Sequence, residues 1–149
     1  MSALDKVIER RRYKALSWSN VMARAFDEEV IQLLAEIEEI AIEARAGPDA
    51  PARRTTIWVV VDGDAAYVRS VRGARGRWYR EATAYPQAVL HASGRTLPVH
   101  IEPVSDAATI AGVSDALLRK YVQWPNDARA MVRDEVLQAT LRLQPVEAP

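Results

Sequence analysis

The sequence predicts an α+β fold in which about six short antiparallel strands form a small barrel, closed or partly split, with flanking helices and an N-terminal helical extension. Apolar residues switch repeatedly between the helical and the strand period along the 149 residues. Two glycine-containing turns, Asp62-Gly63 and Ser93-Gly94, each separate β-rich runs and mark hairpins. Short strands of this kind expose edges, and closing the sheet on itself removes them.

The elements follow in chain order. Ser2 to Ala25 carries Leu4, Val7, Ile8, Arg11, Ala15 and Leu16 at near-helical spacing, with Arg10, Arg11 and Arg12 as a basic run, and reads as an amphipathic helix. This divides the chain into an extension, 1–25, and a barrel domain, 26–149. Asp27 is a good N-cap for a second helix, because its carboxylate can accept from the free amides of the first turn and the acids after it suit the positive helix end. Val30, Ile31, Leu34 and Ile37 form that helix's apolar stripe. Ile40, Ile42 and Ala44 then alternate with charged neighbours as a half-buried strand, and Gly47-Pro48-Asp49-Ala50-Pro51 forms a loop.

Thr55 to Val61 is β-branched and aromatic, and with Ala66 to Val71 it is expected to form one hairpin across Asp62-Gly63. Arg77 to Ala84 reads as one or two helical turns stopped near Pro86. A second hairpin runs from Ala88–Ala92 into Thr96–Val104. Asp106 to Tyr121 has helical spacing at Ile110, Val113, Leu117 and Leu118, with Gly112 weakening its middle and Pro125 ending or interrupting it. A last helix is expected over Asp127–Leu137 and a closing strand over Thr140–Pro145.

Composition narrows the chemistry. The balance of 49% hydrophobic and 27% charged residues is that of a globular chain, and the length suits one domain. No apolar run approaches the roughly 20 residues of a membrane helix, and Met1 to Tyr13 is charged where a secretory signal would be apolar, so a cytoplasmic protein without a membrane partner is expected. There is no cysteine, and His91 and His100 are the only histidines, which argues against a protein-held metal. Any chemistry then falls to hydroxyls, carboxylates, guanidinium groups or a bound cofactor.

Charge is segregated within a net of zero. Asp27 to Glu43 holds seven acids and no base, whereas Arg53 to Arg95 holds eight arginines against Asp62, Asp64 and Glu81, a net of +5. The arginine-rich stretch invites an anion; a compositional bias towards arginine on a solvated surface is the alternative. Nucleic acid is a poor candidate because the pI is about 6.7 and the rest of the chain is acidic.

Within that stretch, Arg53 and Arg54 enter a strand, Arg69-Ser70 ends its partner, and Gly73-Ala74-Arg75-Gly76-Arg77 leads into Trp78 and Tyr79. Guanidinium forks bind phosphate through paired donors, glycines admit backbone amides, and a helix starting at Arg77 offers more of them. The segment reads either as a phosphate cradle beside aromatic rings or as a twisted hairpin with an arginine-rich turn. Tyr67, Tyr79 and Tyr85 could donate a proton, but a tyrosine in a small barrel is more often core with its hydroxyl at the rim, and no catalytic residue is assigned.

The runs Ile57-Trp58-Val59-Val60-Val61-Asp62-Gly63, Tyr67-Val68-Arg69-Ser70 and Trp78-Tyr79-Arg80-Glu81-Ala82-Thr83-Ala84-Tyr85-Pro86 resemble the split-β-barrel flavin-binding superfamily. In particular they resemble a family of uncharacterised bacterial proteins in it, related to deazaflavin-dependent nitroreductases and, more distantly, to pyridoxamine-phosphate oxidases. The likeness runs from about Phe26 to Val146 and is strongest from Arg53 to Val104. It implies a homodimer that completes a pocket for FMN or a deazaflavin, with Arg53, Arg54 and Ser70 at phosphate-contacting positions and Trp78 as the tryptophan opening the short helix; with Arg69, Arg75, Arg77 and Tyr79 of the arginine-glycine cradle these are the expected cofactor-binding residues. It also implies a flavin- or deazaflavin-dependent oxidoreductase of unassigned substrate.

Two departures favour another reading. The deazaflavin group's Gly-Arg-x-Ser-Gly loop is replaced by Gly47-Pro48-Asp49-Ala50-Pro51-Ala52, and its Trp-x-x-Asn spacing by Trp78 with Glu81, a carboxylate that would repel a phosphate unless turned away. The alternative is a non-catalytic module on the same barrel that binds a small anionic ligand or a protein.

Overall fold

A computed structural model describes residues 25–146. Apart from Ala25, the expected N-terminal extension lies outside the described residues. Within them the fold is α+β, and seven antiparallel strands form one curled sheet in the order β2-β1-β5-β6-β7-β4-β3. The strands are β1 Ile40–Ala44, β2 Arg53–Ile57, β3 Val60–Asp62, β4 Ala65–Arg69, β5 Gln87–Ala92, β6 Arg95–Pro103 and β7 Thr140–Pro145. The helices are α1 Glu28–Glu36, α2 Arg77–Ala84, α3 Ala107–Lys120 and α4 Pro125–Ala130, with 3-10 turns at Gly73–Arg75 and Asp134–Ala139.

Local chemistry accounts for most of these elements. Asp27 caps α1 by accepting from Val30 N at 3.0 Å, and Asp106 caps α3 by accepting from Thr109 N at 2.9 Å. The period-two pattern of β1 turns Ile40, Ile42 and Ala44 inward. There they meet Val30 and Leu34 of α1, Leu90, Val99, Ile101, Leu141 and Leu143 in one core. A second core lies between β3, β4 and α3, where Val60 and Tyr67 pack on Ile110, Val113, Leu117 and Tyr121. Strand β4 therefore serves both: Ala66 and Val68 face the barrel interior while Tyr67 faces α3, and Arg69, two residues further, lies on the α3 side. Gly112 has a use in this packing, because a β-carbon on it would meet the carboxylate of Asp62.

Both hairpins form. Ser93 and Gly94 take φ of +51° and +79°, the two left-handed positions a tight hairpin turn requires. In the first hairpin Asp62 pairs with Ala65, so the central turn residues are Gly63 and Asp64, with Gly63 at φ +69°.

Three expectations are corrected. The continuous strand expected over Thr55–Val61 is broken after Ile57. Residues before the break pair with β1 at one edge of the sheet, those after it pair with β4 at the other, and Trp58-Val59 crosses between the two. The sheet thus has seven strands where about six were expected, and it curls until its two outermost strands are consecutive in sequence. The helix expected over Asp127–Leu137 is two pieces, α4 and the 3-10 turn at Asp134–Ala139. Pro125 begins α4 instead of ending α3, which suits a residue whose missing amide has no acceptor at a helix start.

The crossing is held from α3. Lys120 Nζ donates to Leu34 O at 2.9 Å and to Val59 O at 2.6 Å. The Tyr121 hydroxyl donates to Glu38 O at 2.6 Å and accepts from Val59 N at 3.3 Å. Burial lowers the Lys120 ammonium to about 8 and raises the Tyr121 phenol to about 12, since both charged forms lose solvation.

Candidate functional site

Beside the crossing lies a cavity of about 490 Å³, within the roughly 300–1,000 Å³ usual for small-molecule sites. Thr55, Thr56, Ile57 and Trp58, from β2 and the crossing, line it together with Glu39, with Asp127 and Ala130 of α4 and with Met131 just after it. The end of β4, Arg69 and Ser70, and the start of α2, Gly76, Arg77 and Trp78, line it as well.

Arg69 is only 2% exposed although it is a cation. Its Nε donates to Thr140 Oγ1 at 2.8 Å, Nη1 to Ser114 Oγ at 2.8 Å and Met131 O at 2.9 Å, and Nη2 to Ile110 O at 3.0 Å. Every acceptor is neutral. Desolvation lowers the guanidinium to about 10, which leaves it charged at neutral pH. A buried charge without a counter-charge is costly, and one at the wall of a cavity favours an anion there.

Ser70 is 1% exposed, and no partner of its hydroxyl is found among the described residues, although its backbone is engaged by Ala139 O and Gly73 N. Such an orphan is uncommon in a folded interior. Gly73 turns the chain at φ +65°, a conformation open to glycine, and a β-carbon there would also approach Glu135 O at 3.1 Å. The turn delivers Gly76 beside the Ser70 hydroxyl and starts α2. In that helix the first internal donor is Arg80 N to Gly76 O at 3.0 Å, so the amides of Arg77, Trp78 and Tyr79 precede the ladder. The start of α2 and the Ser70 hydroxyl adjoin each other, and the buried Arg69 lines the same cavity, a donor set for an anionic group such as a phosphate.

Of the eight residues expected to bind a cofactor, Arg69, Ser70, Arg77 and Trp78 line this cavity. Arg53, Arg54, Arg75 and Tyr79 are not among its lining. Arg53 pairs with Glu81 at 3.6 Å and Arg54 with Glu43 at 3.5 Å. Glu81, the carboxylate expected to trouble a phosphate, is thus engaged by Arg53. Arg75 is exposed on the 3-10 turn, and Tyr79 stands edge-on to Trp78, ring centroids 6.4 Å apart, against the barrel core. The cavity also takes in Trp58, Arg72, Asp127 and Met131, which sequence reasoning did not single out. Trp58 looked like one more aromatic in a strand, and nothing local marks it as the crossing point.

Neither histidine lines the cavity. His91 lies on the sheet with Nε2 2.7 Å from Glu43 Oε1, and this hydrogen bond is the main reason the Glu43 carboxyl sits below its ordinary range. No group of three metal-ligating side chains occurs among the described residues, and none of their helices is long and apolar enough to cross a membrane.

Residues 30–143 match a family described as "Uncharacterized protein conserved in bacteria (DUF2255)", and the chain belongs to it. No curated relative matches by sequence. Among solved structures, the chain is similar to HutZ, the heme storage protein of Vibrio cholerae, with 11% identity, TM-score 0.57, and 84% of this chain and 92% of that one covered. It is similar to an F420-H2 dependent reductase, with 10% identity, TM-score 0.54, and 71% and 93% covered. It is also similar to a pyridoxamine 5'-phosphate oxidase-like protein of Listeria innocua, with 12% identity, TM-score 0.54, and 80% and 93% covered. These likenesses show the fold.

Proposed function

We propose that the cavity binds FMN or a deazaflavin by its phosphate and that the protein is an oxidoreductase dependent on that cofactor. The observation that carries the reading is the buried Ser70 hydroxyl, which has no partner among the described residues and adjoins Gly76 at the open start of α2, in a cavity that Arg69 also lines. The residues fit such a group: Ser70 and the first-turn amides supply neutral donors, and Arg77 and Arg69 supply positive charge. Trp58 and Trp78 supply aromatic surface for a planar ring, and Ile57, Ala130 and Met131 an apolar lining. Bound there, the cofactor would supply hydride chemistry, and the chain's share would be binding, orientation and exclusion of water.

The fold relative named as an F420-H2 dependent reductase, and the one named as a pyridoxamine 5'-phosphate oxidase, support the reading. A heme-storage relative raises the other possibility, but the imidazoles of His91 and His100 are not among the cavity's lining, which disfavours an iron held by histidine. We take the active form to be a homodimer, since β2 beside the cavity is an outermost strand of the sheet among the described residues and one fold relative is described as a domain-swapped dimer.

A second reading has its own observation. Arg53 and Arg54 are tied to Glu81 and Glu43, and Arg69 is spent on protein acceptors, so the cationic surface left for a ligand is modest. That suits a non-catalytic module for a small anion. The two readings separate on the absorption spectrum of the purified protein and its thermal midpoint with FMN, the deazaflavin coenzyme or inorganic phosphate. A cofactor site gives a midpoint raised by several degrees with one of the two cofactors at about 100-fold over Kd. A shift with phosphate alone favours the module, and no shift with any of them overturns both.

A further inference from the structure

Trp58 is half-buried at the crossing between the sheet edges and forms part of the cavity wall. Its indole lies on the phenol ring of Tyr121, centroids 3.7 Å apart and planes inclined by 1°. Tyr121 is 1% exposed and is not part of the cavity lining, so it covers one indole face from the protein side and what reaches the cavity is the remainder of the ring. The stack is held rigidly, because the Tyr121 hydroxyl is bonded to Glu38 O and Val59 N and Lys120 holds Val59 O. A flat surface fixed in advance binds a flat ligand without the entropy cost of ordering a loose side chain.

We propose that Trp58, backed by Tyr121, is the platform on which the planar ring of the bound ligand stacks, while the start of α2 holds its anionic end. This rests on the flavin reading above and deepens it by assigning the ring-binding residue to the crossing. Trp78, the tryptophan the sequence points to, takes the lesser part: its indole is packed on the barrel core and against Tyr79. The proposal also gives the break after Ile57 a purpose, since a strand continuing straight would not set this indole against α3.

Flavin fluorescence tests it, because an indole stacked on the ring quenches the emission. Full-length wild type, Trp58→Leu and Trp78→Leu are titrated with FMN and, separately, with inorganic phosphate. The expected result is strong quenching in wild type and Trp78→Leu. Trp58→Leu should bind FMN roughly three- to tenfold more weakly, with bright emission, and phosphate as wild type does. Should leucine unfold the chain, Trp58→Phe keeps a ring on Tyr121 and gives the same bright readout. Wild-type quenching and affinity in Trp58→Leu overturn the platform and leave the flavin reading standing. Absence of FMN binding to wild type overturns both.

Discussion

The hydroxyl of Ser70 stands where a β-carbon on Gly76 would be. Gly76 has φ −64°, which any residue adopts, so glycine is required there by space and not by backbone conformation. The pair joins the end of β4 to the start of α2 and sets the anion-binding end of the cavity.

Gly76→Ala is therefore expected to destabilise the fold by about 1–3 kcal/mol through overpacking. Because the whole penalty comes from one neighbour, Ser70→Gly in the same chain should recover most of it. Urea unfolding of the two single variants and the double variant measures the coupling; additive effects would refute the contact.

Ser70→Ala separates stability from binding. Its buried hydroxyl has no partner among the described residues, which costs the ligand-free fold, so its removal should leave stability unchanged or raise it by up to about 1 kcal/mol. Affinity for a phosphate-bearing ligand should fall roughly tenfold, the loss of one hydrogen bond to a charged group. A variant that loses stability and keeps affinity would mean that the hydroxyl serves the fold.

Arg69 joins β4 to α3, α4 and β7 through acceptors on Ser114, Met131, Ile110 and Thr140. Arg69→Met removes every donor and leaves a void, an expected cost of about 2–4 kcal/mol. Arg69→Lys keeps the charge but not the planar fork and should fall between. Equal stability of all three proteins in denaturant would contradict this role.

Lys120 gives a pH signature on the alkaline side. Its folded value of about 8 lies below the ordinary 10.5, so between these values the unfolded chain binds more protons and stability rises with pH. Lys120→Met lacks that rise and also loses the donor to Leu34 O and Val59 O, a cost of about 1–3 kcal/mol. The stability gap between the two proteins should therefore widen from pH 8 to 10.5; parallel curves would refute it.

Glu43 gives the opposite signature in acid. Its carboxyl is lowered by the His91 hydrogen bond, then by the charges of His91 and Arg54. Its contribution is complete above the ordinary 4.5 and is lost as pH falls through the lowered folded value. Glu43→Gln should be less stable by up to about 1 kcal/mol at neutral pH, with the difference vanishing in acid.

Much of this architecture is written locally. Asp27 and Asp106 cap their helices, Ser93-Gly94 turns its hairpin, and the alternation of Ile40, Ile42 and Ala44 gives a strand with one buried face, because each signal acts over four residues or fewer. The arginine and glycine run ending at Trp78 likewise pointed to the neighbourhood of the cavity.

The partner of each strand and the destination of each arginine came only with the folded chain. A β-branched run states which residues face inward but not which neighbour accepts its hydrogen bonds, so Thr55 to Val61 read as one strand. Closure of the sheet split it at Trp58 between opposite edges, and Tyr121, 63 residues away, supplied the ring that stacks there. Arg53, Arg54 and Arg69 are alike in sequence; two found carboxylates on the surface and the third was buried among neutral acceptors. A charge is a property of the residue, whereas its counter-charge depends on which distant segments packing brings beside it.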